Sequence, residues 1–130
     1  MARFCNILSI NLVLFLAFIS MSIIPLTAFS HAVMVESEPK KDSIITKSPR
    51  QVDVWFNEQV RSAHKALAVI NSAGERVDNK DIKQEVFDPS HIYITTPQLP
   101  PDTYTVRYRV MSADTHIISG RFNFTIEEPN

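Results

Sequence analysis

Hydrophobic and polar residues alternate with a period of two in several stretches after residue 30. Successive side chains of a β-strand point to opposite faces of a sheet, so this alternation is typical of strands with one buried face. It is clearest in residues 51–58, 103–111 and 122–126, and shorter β-rich runs cover residues 31–35, 66–70 and 91–95. Turn-forming residues separate these runs, and no stretch keeps a helical period over about 11 residues. The pattern predicts an all-β fold of six or seven strands, either a small antiparallel β-sandwich or a Greek-key barrel.

The first 30 residues differ from the rest of the chain. They contain one cation, Arg3, no acid, and a long apolar run over residues 7–19. A short basic start, an apolar core and small residues at Ala28 and Ser30 are typical of a secretory signal peptide. We predict that residues 1–30 are a signal peptide and that residues 31–130 form the mature domain. The alternative is an uncleaved membrane anchor, since about 20 apolar residues suffice to cross a bilayer.

Composition excludes several classes of function. Cys5 is the only cysteine, so the mature domain would contain no disulfide and would depend on a packed core. The formal net charge of −1 argues against nucleic-acid binding, which uses a cationic surface. Two glycines are too few for a glycine-rich phosphate loop, and the motifs H-E-x-x-H and G-x-S-x-G are absent from the sequence. Enzyme classes that depend on those motifs are therefore excluded.

Cleavage before His31 would give this residue two nitrogen donors, its free α-amine and the Nδ1 atom of its imidazole. Both groups lose their protons near neutral pH, and among common divalent ions Cu(II) has the highest affinity for such ligands. Asp114 and His116 form a second candidate pair: if this segment is extended, residues two apart face the same side, about 6.6 Å apart. These residues alone leave two alternatives of equal weight: a metal site, or an ordinary solvated terminus and turn.

Three segments carry a resemblance to a known family. They are residues 31–39 (HAVMVESEP), residues 52–58 (VDVWFNE) and residues 104–122, the last including Ser112-Ala113-Asp114-Thr115-His116. Together they resemble CopC, the family of periplasmic copper-resistance proteins, over nearly the whole mature chain. The resemblance implies a cupredoxin-like or immunoglobulin-like β-sandwich in the periplasm.

The resemblance also implies a set of metal ligands. They are the amine and imidazole of His31, the imidazole of His116 and the carboxylate of Asp114, with Glu58 as an outer or weak ligand. Some family members have a second, Cu(I) site in a methionine-rich loop, but the mature chain keeps only Met34 and Met111. We therefore expect a Cu(II)-only protein with Cu(2+) as its single metal.

The remaining histidines of the mature chain, His64 and His91, are interpreted as solvated. The function predicted is sequestration or carriage of copper, without catalysis, by a monomer that is not inserted in the membrane once its signal is removed. Such a protein can pass copper to an inner-membrane CopD-like transporter, as the family suggests. Two alternatives are a copper monooxygenase that uses the N-terminal histidine and a metal-free β-sandwich that serves adhesion or interaction.

Overall fold

A computed structural model describes residues 31–63 and 65–129 of the chain. The predicted signal peptide, its cleavage site and His64 lie outside the described residues. Within them the chain forms nine strands: β1 Met34–Glu38, β2 Ile44–Ile45, β3 Gln51–Phe56, β4 Val60–Arg61, β5 Leu67–Ile70, β6 Lys83–Gln84, β7 His91–Thr95, β8 Asp102–Ser112 and β9 Ile117–Ile126. No helix in this part of the chain is long and apolar enough to span a membrane.

The strands form two sheets, which confirms the predicted β-sandwich. One sheet has the order β1-β3-β7-β6, and the other has the order β2-β9-β8-β4 with β5 also paired to β8. All pairings are antiparallel except that of β2 with β9. The prediction of six or seven strands was too low because β2, β4 and β6 have only two residues each, too few to show an alternating pattern.

The core lies between the sheets and follows the predicted alternation. Its residues include Val52, Val54 and Phe56 of β3, Ile92 and Ile94 of β7, Tyr104, Val106 and Val110 of β8, and Phe122, Phe124 and Ile126 of β9. The ring of Tyr108 also faces inward, where its edge meets Phe56 at a centroid distance of 5.5 Å and its face covers Gly120 on the paired strand. A side chain at residue 120 would occupy the space of that ring.

Residues 57–60 bring two distant parts of the chain together at one end of the sandwich. The amide of Val33 donates to Asn57 Oδ1 at 2.7 Å, and the amide of Asn57 donates to the Val33 carbonyl at 3.0 Å. The chain then enters β4, where Val60 lies opposite Ser112 at the end of β8. The segment that begins at His31 is thereby held at the same end as the β8–β9 turn.

Candidate metal centre

The turn between β8 and β9 is tight and strongly hydrogen-bonded. The amide of Ser112 donates to the His116 carbonyl at 2.9 Å, and the amide of Thr115 donates to the Ser112 carbonyl at 3.0 Å. Thr115 has a positive φ of 71°, which lets the chain reverse direction within these residues. Asp114 and His116 are therefore not on an extended strand but in the turn that closes the hairpin, which is the alternative that the sequence left open for Asp114.

The turn nevertheless brings the two side chains together. The Nδ1 atom of His116 lies 2.8 Å from Oδ2 of Asp114, and the buried hydroxyl of Ser112 donates a short hydrogen bond to Oδ1 of the same carboxylate. Because a carboxylate oxygen only accepts hydrogen bonds, the ring proton of His116 points at Asp114. Hydrogen bonds from Ser112 and then from His116 hold the pKa of Asp114 well below its usual range, so this carboxylate stays charged at ordinary pH.

His31, which is more than 80 residues away along the chain, joins this pair at the same end of the sandwich. Its Nδ1 atom lies 3.2 Å from the same oxygen of Asp114, and its ring meets that of His116 edge to face at a centroid distance of 4.9 Å. The three ligand atoms lie within 4.8 Å of one another. The side chains of His31 and His116 are 60% and 65% exposed, whereas that of Asp114 is 11% exposed. The cluster is thus a carboxylate at the protein surface with two imidazoles that solvent can reach.

Glu58 is not one of the three residues in this cluster. It lies between Asn57, which holds the strand after His31, and Val60, which pairs with Ser112. Its Oε1 atom is buried and has no hydrogen-bond partner among the residues that the structure describes. A buried carboxylate oxygen without a partner carries a desolvation cost that a nearby cation or proton would offset.

The interpretation of His91 as a solvated residue is wrong. Its Nε2 atom lies 2.7 Å from Oδ1 of Asp53, its ring stacks on Trp55 at a centroid distance of 4.3 Å, and its side chain is only 14% exposed. The alternating pattern of β3 and β7 is compatible with this contact, but a single sequence does not show that Trp55 and His91 are paired across the sheet. This pair lies on the outer face of the four-stranded sheet and is separate from the cluster of His31.

The family model named CopC domain matches residues 34–127. The chain belongs to the CopC family. It is 38% identical over 120 residues to the copper transport protein CutJ of Bacillus subtilis; the match covers 90% of this chain but spans only 21% of CutJ. The resemblance stated from the sequence is therefore confirmed.

Solved structures agree with this assignment. CopC from Methylosinus trichosporium OB3b has a TM-score of 0.71 and 27% identity, with 77% of this chain covering 97% of that one. PcoC from Escherichia coli, described as a methionine-rich copper resistance protein, has a TM-score of 0.66 and 25% identity, with 75% of this chain covering 100% of that one. About three quarters of this chain is thus enough for the complete fold, which supports experiments on residues 31–130.

Proposed function

We propose that this protein binds Cu(II) in the periplasm and either sequesters or carries it. The observation that supports this best is the convergence of His31, Asp114 and His116 on a single point of the surface, although His31 is distant from the other two along the chain. Copper is named in the descriptions of CutJ and PcoC, and membership of the same family extends that chemistry to this chain. Binding and release are sufficient for this role, and we assign no catalytic step to the cluster.

The donor set favours Cu(II) over other common ions. Two imidazoles and a carboxylate are borderline and hard ligands, and Cu(II) heads the affinity order of divalent ions for them. The Nδ1 atoms of His31 and His116 lie 3.2 and 2.8 Å from one oxygen of Asp114. A bound ion would take the place of the proton between such a nitrogen and the carboxylate, with the ring proton moved to Nε2, and the carboxylate would stay as a ligand. The exposed imidazoles would also let a partner's ligands reach the ion, which suits transfer to an inner-membrane CopD-like transporter.

Two further groups complete the proposed site. If residues 1–30 are removed as a signal peptide, the backbone nitrogen of His31 becomes an amine and can chelate the ion together with its own imidazole. Glu58 would act as an outer partner, because its buried, unpartnered oxygen would be stabilised by positive charge nearby. Outer partners of this kind tune affinity by about 10–100-fold without defining the metal.

A Cu(II) titration of residues 31–130, read by electron paramagnetic resonance, tests the proposal. We expect one tight site with a nitrogen-rich tetragonal signal. His116→Ala should weaken binding by more than about 100-fold, beyond the range of an outer partner, and Glu58→Gln should weaken it by about 10–100-fold. His64→Ala and His91→Gln are the matched controls and should leave the affinity unchanged. Loss of binding in a control, with His116→Ala unaffected, would place the metal elsewhere and overturn the proposal.

Copper affinity should also fall steeply on acidification. Imidazoles and the α-amine bind copper only when deprotonated and take up protons below about pH 8, so we expect a loss of at least about 1000-fold between pH 8 and pH 5. Asp114 adds nothing to this slope, because its lowered pKa keeps it ionised throughout the range. A competition titration at several pH values measures the effect. An affinity that stayed flat over this range would contradict a histidine and amine ligand set.

A further inference from the structure

The outward face of the β8–β9 hairpin carries only positive charge. Arg107, Arg109 and Arg121 occupy outward positions of these strands, and the strands' other outward residues are neutral. The three arginines lie in an open depression of about 930 Å³, which Lys65 and Arg76 also line and which no acidic residue lines. The complete chain has a net charge of −1, so this concentration of cations is not a consequence of a basic composition. We call Arg107, Arg109 and Arg121 the arginine face.

The charges of the arginine face are not neutralised within the described part of the protein. Arg76 forms an ion pair with the buried Asp78, its Nε atom lying 2.8 Å from Oδ2. In contrast, residues 31–63 and 65–129 supply no ion pair and no side-chain hydrogen bond to Arg107, Arg109 or Arg121. These three guanidinium groups therefore keep their donors available to another molecule.

The arginine face contains a pair of like charges that destabilises the sheet. Arg107 lies directly opposite Arg121. The carbonyl of Asn123 and the amide of Thr125 form hydrogen bonds with residues 42 and 43 beside β2, and not with β8. Arg121 lies two residues before Asn123, so its backbone groups also point away from β8. The Arg107–Arg121 pair is consequently a non-hydrogen-bonded one, the type in which side chains lie closest. Like charges in this position destabilise a sheet, and sequences that break such a local rule do so mainly where a surface has a function.

We propose that the arginine face is a docking surface for a carboxylate-rich polypeptide segment. Guanidinium groups bind carboxylates in a planar, bidentate manner, and three of them on adjacent strand positions match an extended segment with repeated acids. The arginines line a depression bordered by Lys65 and Arg76, which a polypeptide can enter and a flat bilayer surface cannot follow. The same hairpin ends at Asp114 and His116, so the arginine face and the proposed copper site belong to one hairpin. The inference does not depend on copper binding.

The test uses metal-free residues 31–130 and a synthetic peptide of alternating glutamate and threonine, about ten residues long, the length of a long strand. We expect measurable binding at low salt that weakens as salt screens the exposed charges. The triple variant Arg107→Gln/Arg109→Gln/Arg121→Gln should bind at least about tenfold more weakly, while its melting temperature stays the same or rises because the like-charge pair is gone. The matched control, Lys40→Gln/Lys41→Gln/Lys47→Gln, removes the same charge from exposed residues in the loops on either side of β2 and should bind like the parent protein.

Each other outcome would overturn the proposal. Equal losses in the two triple variants would mean general electrostatic attraction rather than docking at this face. Binding to vesicles of anionic phospholipid, without binding to the peptide, would identify a membrane surface as the occupant. Equal binding of a peptide with every glutamate replaced by glutamine would show that carboxylates are not recognised. Copper affinity is measured separately, so failure here leaves the proposed function untouched.

Discussion

A chain that begins at His31 is expected to bind Cu(II) at least about 100-fold more tightly than a chain that begins at Ser30. The longer chain is acetylated at Ser30, so that the nitrogen of His31 belongs to an amide bond and no terminal amine is present to help copper displace the amide proton. One residue then supplies one donor instead of two and the chelate ring is lost. The effect should exceed that of an outer partner because a direct ligand is removed. The electron paramagnetic resonance signal should change at the same time, since one nitrogen leaves the equatorial plane.

The comparison needs a control for the presence of the extra residue itself. Both chains are therefore also prepared with His116→Ala, and the four affinities form a double-mutant cycle. We expect the two changes to be coupled, because both remove ligands from one ion. Equal affinities of the His31 and Ser30 chains would mean that the amine is not a ligand, and copper would then depend on side chains alone. In that case processing at residue 30 would no longer matter for the site.

The larger strands could be predicted from the sequence because each has one buried face. The alternation over residues 103–111 matches β8 closely, whereas the run over residues 122–126 covers only the second half of β9. The first half of β9 was missed because the inward position at Gly120 has no side chain; the ring of Tyr108 fills that space from the neighbouring strand. A contact of this kind depends on strand pairing, which a single sequence does not reveal.

The residues of the metal cluster could likewise be predicted from their own chemistry, whereas features that depend on tertiary contacts could not. His31, Asp114 and His116 were selected for their donor atoms, and the structure brings the three together. Their geometry was not predictable, since the turn at Thr115 requires a positive φ that threonine rarely adopts. The burial of His91 was missed for another reason: it depends on Asp53 and Trp55, which are close to it only across the sheet.

Asp78→Ala is expected to lower the free energy of unfolding by about 3 kcal/mol. The side chain of Asp78 is fully buried, pairs with Arg76 and accepts hydrogen bonds from the amides of Val69 and Lys80 at 2.8 and 2.9 Å. Its removal leaves two amides without this acceptor and Arg76 without its counter-ion. Breaking a buried pair costs about 3–5 kcal/mol, and we expect the lower end because Arg76 keeps access to solvent. For a domain of this size the melting temperature should fall by roughly 12–24 °C. Glu128→Ala, at an exposed residue, is the control and should change stability by less than about 0.5 kcal/mol.

Copper should restore most of this loss if the proposed site is correct. Asp78 lies apart from the metal cluster, so the variant keeps His31, Asp114 and His116 in the folded state. A ligand that binds only the folded protein stabilises it by about 2.7 kcal/mol at a free concentration 100 times its dissociation constant. Copper at that ratio should therefore return the melting temperature of Asp78→Ala close to that of the metal-free parent. Asp78→Ala/His116→Ala, measured at the same copper concentration, should show little rescue because its site lacks a ligand. Equal rescue with and without His116 would mean that copper stabilises the fold from another place, and the ligand set proposed here would then be wrong.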